Sequence, residues 1–431
     1  MLNRNSVIQK GEKMSYPRMM RIRQHFEAPT VANIAGTVHE QVARLNLASK
    51  VKSGDSVAIS VGSRGIANIA LIVKSLVAEL KTLGVAPFLV PAMGSHGGGV
   101  AENQRKIIEG YGVTEGYTEA PIKASMETVK VGETEDGVPV LFDKFAFEAK
   151  HVAVVGRVKP HTGFVGEIES GLHKMMLIGL GKHKGASLYH GAIVHYNWDR
   201  IVRSVGRTVI EKCGVLLGLG IVENQYDQTA RIEAVAPDRF VEREKELLKM
   251  AKKWMPRLPF EDIDLLIVDK IGKNISGAGM DTNVIGRKFN DHSAVDGECP
   301  RITRIYVRDL TDETHGNASG VGMAEYVHKK AIDKMNREAT YINCMTGNAP
   351  SGAAIPITFD NDRAALDAAL KTVGLIEPAD SKVVRIHDTL DLGEILVSEV
   401  YSSEIKKKEE LSILGPAKDL EFDHSGDLNV F

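Results

Sequence analysis

Between residues 56 and 111 the chain alternates short apolar runs with amphipathic stretches, and that order leaves few folds open. Residues 56–62 (SVAISVG) read as a buried strand. Residues 66–84 (IANIALIVKSLVAELKTLG) keep apolar side chains at helical spacing and end on glycine. Residues 86–93 (APFLVPAM) form a second strand, and 102–111 a second helix. A β-α-β-α order implies a parallel sheet flanked by helices. Residues 121–147 break the pattern: Gly132 and the Asp136-Gly137 turn lie between β-prone segments and predict a hairpin. The order then resumes with a strand at 151–158, a helix at 198–214, a strand at 216–222 and a charged helix at 238–254.

The chain's 431 residues exceed one ordinary domain. Residues 255–259 (MPRLP) carry two prolines and no periodicity, as a linker does. Beyond them strands are expected at 264–271, 302–307, 382–387 and 394–400, and helices at 321–335 and 362–373. The expectation is α/β: two α/β domains with mainly parallel sheets, 1–258 catalytic and 259–431 C-terminal, with the active site in the cleft between them. The folded part is expected to begin near Tyr16.

A net charge of −2 gives no reason to invoke nucleic acid or a membrane surface. Cys213, Cys299 and Cys344 are far apart and form no C-x-x-C pair, which excludes a disulfide framework and a four-cysteine metal site. No apolar run approaches the ~18–20 residues that span a bilayer, and the N-terminus lacks a signal-peptide core. A cytoplasmic protein is expected.

Six of the 14 histidines, His151, His161, His173, His183, His190 and His195, fall in one glycine-rich stretch that also holds Lys159, Lys174, Lys182 and Lys184. Glycine lets backbone approach a ligand, and histidine serves as acid, base or metal ligand near neutral pH. The stretch follows a strand, at the sheet edge where open α/β folds bind ligands. A single histidine is more often structural; clustering with glycine shifts the balance toward a site. H-E-x-x-H is absent, so a zinc hydrolase has no motif behind it.

A second glycine-rich loop, 93–99 (MGSHGGG), lies between a strand and a helix and carries His96. It is either a site loop or a flexible turn. It is not a G-x-G-x-x-G fingerprint or a P-loop. Arg64 ends the first strand, where a guanidinium could hold a carboxylate by two hydrogen bonds or simply be solvated. Residues 270–279, 315–322 and 346–352 are rich in Gly, Asn and Ser, as both polar ligand sites and surface turns are.

Taken together, MGSHGGG, PHTGFVGEIESGLHKMMLIGLG and the later His190 resemble the nickel-pincer lactate racemase family, which interconverts stereoisomers of 2-hydroxy acids. The resemblance covers the N-terminal half by motif and the C-terminal half by architecture. It implies a nickel-bearing cofactor, the pyridinium-3-thioamide-5-thiocarboxylic acid mononucleotide, joined to Lys174 and lined by Gly97, Gly98 and Gly171. It implies His190 as metal ligand, His96 and His161 as catalytic bases on two faces of the substrate, and Arg64 as substrate ligand. Partners would be a small hydroxy acid and the cofactor-making enzymes, with a homo-oligomer allowed and no nucleic acid or membrane. The loop from His161 to Lys174 is longer than in the lactate enzymes, and Val61 stands where the family has an acidic residue. Those departures suit another substrate, a sugar acid among them. The resemblance therefore implies a racemase or epimerase. A cofactor-free binding or regulatory protein on the same fold and a metal-dependent hydrolase are the competing readings.

Overall fold

A computed structural model describes residues 14–63 and 65–430. The chain divides into two compact units, Glu27–Met255 and a second made of the N-terminal segment with Pro256–Phe431. Strand β1 (Met19–Gln24) belongs to the second unit.

In the first unit, β2 (Ser56–Val61), β3 (Ala86–Pro91), β6 (His151–Arg157), β7 (Val215–Glu223) and β8 (Thr229–Val235) form a sheet in the order β3-β2-β6-β7-β8. The first four are parallel, and β8 returns antiparallel. The hairpin is present as β4 (Thr128–Glu133) and β5 (Pro139–Asp143), turning at Gly137 with φ 75°.

Helices cover both faces of this sheet because the strands are apolar on both. On one face Val57, Ile59 and Val61 meet α1 (Ile34–Ala43) and α2 (Ile69–Thr82). On the other, Ala58, Phe88, Val90 and Val154 meet the segment after β6 and two helices, α4 (Lys182–Ile193) and α5 (Trp198–Lys212). Helix α3 (Ala101–Gly110) follows β3, and α6 (Phe240–Trp254) packs Leu247 and Leu248 on Val158 and Val222.

In the second unit, β9 (Asp262–Val268), β10 (Arg301–Val307), β11 (Tyr326–His328), β12 (Ile357–Phe359), β13 (Val383–Ile386), β14 (Glu394–Ser398) and β15 (Leu411–Ile413) join β1 in the order β12-β11-β10-β9-β13-β14-β1-β15. The five from β12 to β13 run parallel, and the rest alternate.

Two expectations are corrected. Residues 14–26 do not fold with the first unit. Met19–Gln24 pairs with β14 and β15, whose backbone lies hundreds of residues downstream. The helix expected at 321–335 is broken by β11, because Tyr326 and Val327 pair with Tyr306 and Val307. A short helix, Lys329–Asp333, follows. The unit boundary falls at Met255/Pro256, inside the proline-bracketed segment. Among the described residues no helix is long and apolar enough to cross a membrane.

Candidate active site

Strands β2, β3 and β6 are parallel neighbours, so the loops after them leave the same edge of the sheet. These loops carry Ser63, His96 and His161. Arg64 lies outside the described residues.

The loop after β3 turns on Gly97, Gly98 and Gly99, with φ 65°, 68° and 67°. An L residue pays about 1–2 kcal/mol in that region, so three in succession require glycine. Helix α3 staples the loop: buried Gln104 donates to the carbonyls of Gly94 (2.9 Å) and His96 (3.0 Å), and Asn103 donates to Gly97 O (3.1 Å). Open space lies around Gly98 on its side-chain side. His96 is exposed, and its Nδ1 is 2.5 Å from Ser63 Oγ. Tyr111 in turn donates to Ser63 O at 2.6 Å. Ser63 thus sets the His96 ring from the adjacent loop, a role the sequence did not signal.

The loop after β6 is closed at its base. Lys159 N donates to Ser170 Oγ (3.1 Å), and that hydroxyl donates to Lys159 O (2.6 Å). Buried Glu169 accepts from His161 N (2.9 Å) and from Lys252 Nζ (2.7 Å), and Trp198 Nε1 donates to Ile168 O (2.6 Å). At its tip, His161 Nδ1 accepts the backbone N–H groups of Gly163 (3.0 Å) and Phe164 (2.9 Å). Two donors on Nδ1 place the proton of the neutral ring on Nε2.

Phe164 gathers the site. It stacks on His161 (centroids 4.1 Å apart, 10° between planes) and on Trp198 (4.0 Å, 11°). Two rings that close cannot share one face, so Phe164 is sandwiched. His190 sits 5.5 Å from the same centroid, tilted 40°, and Lys174 Nζ lies 5.4 Å from it. His161, Lys174 and His190 are therefore brought together, around an aromatic residue the sequence reading passed over. The signal was there: an aromatic three residues after a histidine, in a glycine-bracketed loop.

Lys174 stands just before a π-helical turn, Met175–Gly179, a distortion frequent at functional sites. His190 occupies the last turn of α4. Burial, and secondarily the Lys174 cation, hold its pKa below the ordinary value, so the ring is kept neutral. A neutral imidazole is the form that ligates metal.

The other residues of the stretch are packed in the interior or exposed. Gly171 (φ 116°) is buried, and a Cβ there would meet Glu244 Oε1 at 2.4 Å. Lys182 is fully buried, 2.8 Å from Asp143 Oδ2 and 2.5 Å from Pro91 O. His151 pairs with Asp55 at 3.2 Å, at the start of β6 and away from the loops. His183 and His195 are exposed. Among the described residues the group with metal-ligand geometry is His328, Asp362 and Asp427, in the second unit. Its atoms are already engaged: Asp427 with His328 Nε2 (3.0 Å), His328 Nδ1 with Lys330 N, and Asp362 with Tyr306, Arg308 and Leu428 N.

Residues 13–200 match the family model described as the lactate racemase N-terminal domain. Those residues are a divergent relative of the lactate racemase N-terminal domain. The fold agrees: the lactate racemase apoprotein from Thermoanaerobacterium thermosaccharolyticum superposes with a TM-score of 0.52 at 13% identity, over 85% of this chain and 94% of that one. No curated protein matches the chain. Every described residue that the racemase resemblance named lies on or beside the loops at one edge of the first unit's sheet or on α4.

Proposed function

We propose that the chain is a racemase or epimerase of a 2-hydroxy acid that uses the nickel-pincer nucleotide, with a sugar acid as one candidate substrate. The observation that carries this reading is the convergence of His161, Lys174 and His190 on Phe164. The match over residues 13–200 supports it independently.

The residues fit the cofactor. Lys174 offers an amine for the covalent link. His190, kept neutral, offers a metal ligand, and the rim of Phe164, whose two faces His161 and Trp198 cover, lies beside both. Gly98, left-handed and with open space on its side-chain side, leaves room for a phosphate-bearing group to approach the backbone. When bound, the cofactor supplies nickel and a ring carbon that accepts and returns hydride.

The chain's own residues would handle the protons. His161, with Nδ1 held by two N–H groups, would exchange a proton with the substrate hydroxyl through Nε2. His96, with Nδ1 on Ser63 Oγ, would also use Nε2. Racemisation needs an acceptor on one face of the substrate carbon and a donor on the other, and two histidines can exchange those roles near neutral pH. Arg64 is assigned to the carboxylate by its place after β2.

The test is the intact mass and nickel content of the chain made together with the cofactor-making enzymes, followed by peptide mapping. An adduct on Lys174 with bound nickel supports the proposal. An unmodified chain without nickel, made beside a lactate racemase that is loaded under the same conditions, would sink it in favour of a binding protein.

A further inference from the structure

Lys174 lies on a turn that has no capping side chain of its own. Leu172–Lys174 is helical, and the residue at its start is Gly171. The first N–H groups of a helix lack intrahelical acceptors and need partners from outside. Here the partner comes from α6. Glu244 accepts the backbone N–H of His173 on both carboxylate oxygens, at 3.3 and 3.2 Å, and its Oε2 also pairs with His173 Nδ1. His173 is 1% exposed and Glu244 is fully buried.

Two glycines make room for this pair. A Cβ at residue 171 would lie 2.4 Å from Glu244 Oε1, and one at Gly206 would lie 2.5 Å from His173 Cδ2. The sequence thus leaves out two side chains so that a carboxylate and an imidazole can meet under the Lys174 turn. Burying such a pair gains little stability, since well-packed apolar residues of the same volume serve as well or better. What it adds is geometry: the carboxylate fixes the backbone at 173 and the ring of 173 together, one residue before Lys174.

We infer that Glu244, acting through His173, is the positioning residue for Lys174. It anchors the turn so that the amine is presented beside Phe164 and near His190. The inference rests on the proposed role of Lys174, but the arrangement is a property of the chain itself and can be tested without cofactor.

The experiment is peptide-mapped reductive methylation of the full-length apo chain, with the Lys174 rate divided by that of Lys184, an exposed lysine on α4. Three variants are compared: Glu244→Gln, the apolar pair His173→Phe with Glu244→Leu, and His173→Asn, whose amide can donate where Nδ1 stands. Glu244→Gln, which trades charge-assisted bonds for weaker neutral ones, and the apolar pair, which removes them, should raise the ratio roughly fivefold, about the worth of one hydrogen bond. His173→Asn should keep it near the parent's. The apolar pair should do this while keeping the parent's thermal midpoint, which separates positioning from stability. A core variant, Val202→Ala, should lower the midpoint and leave the ratio unchanged. A ratio that follows the midpoint across the set, or that stays at the parent value in Glu244→Gln, overturns the inference. So does failure of both Glu244→Gln and the apolar pair to fold, which would make the pair purely structural. A fivefold change in a chain that never acquires an adduct would leave the positioning role standing and remove only the proposed cofactor.

Discussion

His161 lies parallel to Phe164, with ring centroids 4.1 Å apart, and its Nδ1 accepts the backbone N–H of that same residue at 2.9 Å. Stacking and hydrogen bond act on one short loop. Together they set both the plane of the imidazole and the nitrogen that carries its proton.

Phe164→Leu should therefore disturb more than packing. Aromatic pairs contribute about 0.5–1.5 kcal/mol beyond the area they bury, and Phe164 makes two. The variant should lose about 1–3 kcal/mol in a denaturant titration. Turnover of the loaded enzyme should fall by a larger factor than that loss of stability explains, because His161 loses its orientation. An active-site ring this tightly held should also give a single set of imidazole NMR signals in the parent and broadened ones in the variant.

Lys182 is the lysine most easily mistaken for Lys174 in the longer loop. Its burial against Asp143 predicts a different phenotype. Lys182→Met leaves a buried carboxylate without its cation, a loss of about 3–5 kcal/mol. Replacing both partners, Lys182→Met with Asp143→Leu, should recover most of it. Any cofactor adduct should persist at low temperature in the double variant. Thermal melts and intact mass on the same samples check both points; an adduct lost with Lys182 alone would mean the loop is misaligned.

The pattern of what the sequence made legible is physical. The β2-α2-β3 order and the hairpin at Gly137 are local, written in period and turn residues, and they are present. His161, Lys174 and His190 stood out through composition and motif. Contacts between distant segments were silent. β1 was invisible because its partners are β14 and β15. Residues 326–328 read as helix because the parallel partner that makes them a strand is β10. Glu244 looked like one more charge on a charged helix, since nothing in its own segment shows that it faces inward to His173. That a Cβ at Gly171 would collide with Glu244 was silent for the same reason.

The protonation of His190 gives a pH prediction. Its pKa lies below the ordinary 6.5, first through burial and then through Lys174. A histidine with a lowered folded-state value favours folding in its neutral form. That contribution is present above 6.5 and is lost as pH falls through the folded-state value. Nickel, which needs the neutral ring, should follow the same direction and stay bound to lower pH than an exposed histidine would allow. Nickel content after dialysis at stepped pH measures this. His190→Ala should remove the retention. A parent that sheds nickel at or above pH 6.5 would contradict the assignment.

The histidine pair divides by role. His96 and His161 sit on the loops after β3 and β6, on either side of the loop after β2 in the sheet order, and Ser63 of that middle loop holds His96. If both exchange protons through Nε2, His96→Ala and His161→Ala should each retain nickel and lose racemisation by about two to four orders of magnitude, the usual worth of a positioned acid or base. Ser63→Ala removes the group that orients His96 and should cost less, with its effect on turnover rather than on substrate affinity. His161→Asn keeps an acceptor where Nδ1 stands, so the loop should hold its shape while Nε2 is gone. It should match His161→Ala in rate and exceed it in thermal midpoint. Nickel content, melting and racemisation measured side by side decide the matter: if His96→Ala and His161→Ala both racemise at the parent rate, the two-base mechanism fails and the likeness to the racemases is one of fold.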